Sequence, residues 1–187
     1  MFKLKNLVNQ KGAAHISDKT TETKSALQIM SLSRLQKDFS EYEDVEGCVF
    51  DQVDPKNFYN YKLTISPTEK LYKGASFDFS VECPEDFPNH PPKVMCLTPI
   101  YHPNIDLDGH VCLSTLRLDK DWSPLVTLNH VVYGLYSLFL EPNPNDPLNE
   151  QAGELMKRDY NGFVEQLNKT LKGGEFFGKE FPTNLKE

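Results

Sequence analysis

The chain has 187 residues, 39% hydrophobic and 25% charged, with a formal net charge of −7. That is room for one domain of ordinary size plus a tail, and the acidic balance excludes the clustered basic face that nucleic acid requires. The longest apolar runs, such as LYSLFL at 135–140, fall far short of a membrane span, and the first residues lack the apolar core of a secretory signal. A cytosolic or nuclear protein with reduced thiols is expected.

Charge is unevenly spread along the chain. Residues 1–24 hold five Lys against Asp18 and Glu22, a net of +3, which leaves −10 for the remainder. Phe2, Leu4, Leu7 and Val8 stand among polar neighbours, an amphipathic pattern too short to hold as an isolated helix. Residues 10–24 are almost free of large apolar side chains and read as a flexible linker. The segment is either a hook on a string or a frayed terminus. A basic head on an acidic body suits protein partners, although solubility alone explains it as well.

Ser25 and Gln28 form a capping box opening a helix to about Tyr42, with Leu32, Leu35, Phe39 and Tyr42 as one buried stripe. Strand texts follow at 47–53, 58–66 and 75–83, the last alternating strictly at Phe77, Phe79 and Val81. Short turns between them predict an antiparallel meander. EDFPNHPPKV, with three prolines, cannot be central strand and leads into a short strand at 93–97. After a polar loop, Thr127 caps a helix to about Leu140, apolar nearly all round and hence expected to be central and buried. Asp146 followed by Pro147 predicts the start of a helix from 148 to about 158, and a last helix at 160–171 stops at Gly173 and Gly174. The order is that of an α+β domain over 25–174, with a C-terminal tail at 175–187.

The polar loop, YHPNIDLDGHVCLSTLR at 101–117, carries the chemistry. Of Cys48, Cys83, Cys96 and Cys112, none forms a CxxC pair, and only Cys112 sits among clustered polar residues. Four readings compete. A metal site from Cys96, His102, His110 and Cys112 has spacings that fit no usual zinc pattern. A Cys–His hydrolase needs a base in line with the thiol, and His110 is too near in sequence to reach it. A merely packed cysteine leaves the crowding of donors and turn formers unexplained. A thioester carrier needs only a moderately nucleophilic thiol and a neutral amide for the oxyanion, for which Cys112 and Asn104 are candidates, with Asp108–Gly109 reversing the chain between them.

The HPNI…G…VCL spacing, with the cysteine eight residues beyond Asn104, resembles the ubiquitin-conjugating enzyme family. FPNHPPKV at 87–94, WSP at 122–124 and EPNPNDPLN at 141–149 match as well, so the resemblance covers about 25–174. It implies that family's fold: an N-terminal helix, a four-stranded antiparallel meander, a long active-site loop, then central and C-terminal helices. It implies that Cys112 carries a ubiquitin-like modifier as a thioester, that Asn104 stabilises the oxyanion, and that His102 braces the loop. Asp146 would position the incoming lysine and help to deprotonate it, since an amine of pKa near 10.4 is otherwise protonated.

The likeness is nearest to the neddylation branch, which uses a Nedd/Rub-type modifier. By that likeness, Phe2, Leu4 and Leu7 dock a heterodimeric activating enzyme, and an acetylated Met1 enters a helper ligase. Asn89, Ser123 and Pro124 face a RING-type ligase, and a cullin-type protein is the substrate. No cofactor is bound, ATP being consumed upstream by the activating enzyme, and no metal, nucleic acid or membrane is involved. The alternatives are a ubiquitin conjugator with an unrelated tail, or a non-catalytic scaffold of the same fold. Two departures stand out: nine residues separate Cys112 from Trp122 where this branch usually has seven, and Ser114 replaces the usual Asn.

Overall fold

The strict alternation at Phe77, Phe79 and Val81 becomes the inner face of a sheet. In the computed structural model, which describes residues 26–185, a first helix (α1, residues 26–40) precedes four strands. These are β1 (Cys48–Asp54), β2 (Asn57–Ile65), β3 (Phe77–Glu82) and β4 (Lys93–Cys96). They pair antiparallel in sequence order, as the short connections predict. Register sets Phe50 opposite Leu63, Leu63 opposite Phe79, and Phe79 opposite Cys96, so alternate residues of all four strands share one buried face.

Helix α2 (Leu128–Leu140) lies against that face. Phe139 stacks on Phe77 with ring centroids 5.3 Å apart and meets Phe79 and Tyr72 edge-on. All four rings are completely buried, each contributing about 2–3 kcal/mol in apolar area removed from water. Thr127 is the N-cap as expected, and its hydroxyl accepts from the His130 N–H. The helix is not buried all round: His130, Tyr133 and Ser137, at helical spacing, face outward.

Helix α1 packs over the far end of the sheet through Leu35 and through Phe39, whose ring lies near Phe50, Phe58 and Tyr61. Buried Asp38 pairs with Arg34 at 2.7 Å and also accepts the Leu128 N–H, so α1 caps the start of α2. Ser25, the expected cap, lies outside the described residues. The Gln28 amide donates to Glu85.

Helix α3 (Glu150–Arg158) starts later than Asp146–Pro147 suggests. Its cap is Asn149, whose side chain accepts from Ala152 N–H. The reason is tertiary: the N–H groups of Leu148 and Asn149 both donate to Pro103 O, which ties 148 and 149 to the active-site loop instead of into a helical turn. Helix α4 (Tyr160–Leu171), capped by Asp159, ends at Gly173, whose φ of +88° suits glycine at a helix stop. Residues expected to trail as a tail instead fold back as a hairpin, β5 (Gly174–Phe176) and β6 (Lys179–Phe181). Phe181 is buried, Asn184 N–H donates to Leu171 O, and Ser76 N–H donates to Asn184 O. Among the described residues, no helix is long and apolar enough to cross a membrane.

Candidate active site

The loop from Leu97 to Leu113 is irregular but pinned throughout. The reversal expected at Asp108–Gly109 is present: Asp106 N–H donates to His110 O, and Ile105 bridges Val111. Gly109 has φ +87°, and a Cβ there would stand 2.1 Å from Cys96 O, so only glycine fits this approach to β4. The turn returns the chain so that Cys112 N–H donates to Asn104 O at 2.9 Å. Cys112 is half-buried at the loop's end.

Residues 102–104 act as a three-pronged clamp. His102 is fully buried, and its Nδ1 accepts the Asn104 N–H at 2.9 Å. Nδ1 therefore carries the lone pair, and the proton sits on Nε2, which donates to Leu138 O at 3.0 Å near the end of α2. Burial pushes its pKa down to about 4, consistent with a neutral ring. Pro103 O takes the two N–H groups of Leu148 and Asn149. Asn104 is 2% exposed; its Oδ1 accepts from Asn143 N–H at 2.8 Å, while Nδ2 donates to Asn143 O at 2.8 Å and Asp146 O at 3.2 Å. The amide expected to meet an oxyanion thus has both hydrogens committed to backbone carbonyls of the 141–149 segment.

This geometry bears on the competing chemistries. With both ring nitrogens occupied, His102 has no lone pair for a metal and no freedom to act as a base. Cys96 is buried and its thiol donates to Thr98 O, while burial raises Cys48, Cys83 and Cys96 alike to about 12. His110 Nδ1 is held by Asp106 at 2.8 Å. Asp106, Asp108 and His110 do cluster, but the Lys179 ammonium already bonds to Asp108 and to Leu107 O. That contact holds the Asp108 carboxyl below its usual range.

Lys179 is one contact that reading the residues in order missed. With it, Phe177 stacks on Tyr101 at 5.2 Å and 9°, and Tyr101 stacks on Phe163 of α4. The hairpin and α4 therefore flank the start of the site loop. An apolar FF pair followed by a Gly and a Lys, at 176–179, was the only local sign of this.

Of the remaining candidates, Asp146 is exposed, and its carboxylate lies 3.7 Å from Lys120 Nζ. Asn89 and Pro124 are exposed and Ser123 half-exposed, on two segments joined by the Trp122 Nε1–H bond to Pro88 O. Arg34 reinforces them by donating to Pro124 O and Val126 O. Met1, Phe2, Leu4 and Leu7 lie outside the described residues.

Comparison with known proteins agrees with this arrangement. The family model described as ubiquitin-conjugating enzyme matches residues 34–171. The chain is 45% identical over 152 residues to the NEDD8-conjugating enzyme Ubc12 of Dictyostelium discoideum, covering 81% of this chain but 65% of that protein. It is 42% identical over 174 residues to the Nedd8-conjugating enzyme UbcE2M of Drosophila melanogaster, covering 93% of each. The solved structure of S. cerevisiae Ubc12 superposes with a TM-score of 0.77 at 32% identity, covering 96% of this chain and 100% of that one. Backbone and sequence point to one family, and the chain belongs to the ubiquitin-conjugating enzymes.

Proposed function

We propose that this chain is a NEDD8-conjugating enzyme in which Cys112 takes the modifier from its activating enzyme as a thioester and yields it to a target lysine. The observation that carries the reading is Cys112 itself, half-buried on a loop whose backbone is clamped at every turn. Thioester exchange needs an accessible sulfur and no dedicated base, so the reading does not call on His110, whose Nδ1 is held by Asp106. Kinship over 93% of its length with a Nedd8-conjugating enzyme supports the choice of modifier.

In the transfer step, the incoming amine attacks the thioester carbon and the S–C electron pair returns to Cys112. Asp146, exposed beside the site, meets the ammonium and takes its proton. Asn104 acts first by fixing the Asp146 backbone, and it reaches the oxyanion only if one of its two carbonyl partners lets go. A cullin-type target and a RING-type ligase docking over Asn89, Ser123 and Pro124 complete the reading, with Phe2, Leu4 and Leu7 engaging the activating enzyme and the capped Met1 a helper ligase. The setting is cytosolic and nuclear.

The test is charging by each of two activating enzymes, for NEDD8 and for ubiquitin, with ATP. The expected product is a reducible NEDD8 adduct that Cys112→Ser turns into a reductant-resistant ester. Equal or better charging with ubiquitin refutes the modifier assignment.

A further inference from the structure

The segment between Cys112 and Trp122 is longer than its likeness predicts, and it is folded. Residues Ser114–Leu116 form a 3₁₀ turn, and the N–H groups of Lys120 and Trp122 both close onto Arg117 O. These turns double the segment back, so that Lys120 Nζ comes to 3.7 Å from Asp146 Oδ2. Arg117, the other cation of the segment, pairs with its neighbour Asp119 at 3.5 Å. Asn104 bonds to both sides of the site: its backbone O holds the Cys112 N–H and its side chain holds Asp146 O. The carboxylate assigned to meet an incoming lysine already meets one from its own chain.

We propose that Lys120 is an internal acceptor: without a target, the modifier passes from Cys112 to Lys120 of the same molecule. The proposal rests on the transfer reading of Cys112 given above. The Lys120 and Asp146 side chains are 42% and 64% exposed, so their pairing is weak and leaves the lysine free to swing towards the sulfur. Tethered within one loop, the amine acts at an effective concentration that no dilute external amine matches.

The step balances without a further reactant. The Lys120 ammonium gives one proton to Asp146, and the neutral Nζ attacks the thioester carbonyl carbon. A C–N bond forms, the C–S bond breaks, and its electron pair leaves on Cys112 Sγ. The second amine proton ends on that sulfur, and the first passes from Asp146 to water. The product is an isopeptide on Lys120 and a free thiol.

The experiment charges the full chain with its activating enzyme, ATP and NEDD8, with no ligase or target present. A reducible thioester should appear first, followed by a reductant-resistant single adduct that peptide mass spectrometry maps to Lys120. Its rate per molecule should not change on dilution. Lys120→Arg keeps a cation opposite Asp146 and Lys120→Gln removes it; both should charge as the parent does and lose the adduct. A thioester that gives no stable adduct, an adduct on another lysine, its persistence in both variants, or a rate that falls on dilution overturns the internal acceptor. Failure to form the thioester at all overturns the transfer reading instead, at an earlier and separate step.

Discussion

Asn104 is the residue on which the site turns, and its bonds predict how it fails. Asn104→Ala removes one acceptor and two donors from a buried side chain, at about 1 kcal/mol for each bond and more for carbonyls left unpaired. The expected variant still charges Cys112, discharges slowly to lysine, and unfolds about 2–4 kcal/mol more easily in urea. Slow discharge with unchanged stability removes the clamp as an explanation and leaves the oxyanion alone. His102 makes a pH prediction. Its ordinary value of 6.5 falls to about 4 in the fold, so the unfolded chain takes up this proton first as pH drops. The group's contribution is therefore whole above 6.5, is lost as pH falls towards 4, and amounts to about 3 kcal/mol at the limit. The stability gap between the parent and His102→Asn should shrink over that window, and a constant gap contradicts a buried neutral imidazole. Cys112 and Asn104 were legible as candidates because their types and spacing are local, whereas Asp146 read locally only as a helix cap and became a candidate through the family resemblance. The commitment of the Asn104 amide was not legible, because its partners lie 39 and 42 residues away.

Among the elements, the strands were the most readable and the ends the least. Alternation over β3 and Thr127 before α2 are signals within one segment, and both survive in the structure. The start of α3 moved from Asp146 to Asn149 because Pro103 O competes for the N–H groups that a helix start leaves free. The hairpin after α4 was hidden for a related reason: three-residue strands show almost no periodicity, and Phe181 is apolar towards a surface formed elsewhere. Phe181→Ala should cost about 3–5 kcal/mol of stability. Lys179→Met should barely shift the melting temperature yet raise amide hydrogen exchange at Gly109 and His110. Unchanged exchange there means that the hairpin does not brace the loop.

At the scale of the whole molecule, charge separates the chain into a head of +3 and a body of −10. Deleting residues 1–24 should weaken charging by the activating enzyme while the urea midpoint of the body stays where it was. Undiminished charging reduces the head to a solubilising terminus. The sequence alone determined the α+β order, the meander and the Asp108–Gly109 turn, and it singled out Cys112 among the four thiols. Each of these follows from hydrophobic period, turn residues or spacing inside a short window. Only the tertiary structure decided that His102 is a strut with both nitrogens occupied, that the 141–149 segment is lashed to residues 103 and 104, and that Lys120 faces Asp146. Those outcomes depend on which buried polar groups find each other across distant segments, and a chain read in order does not display that competition.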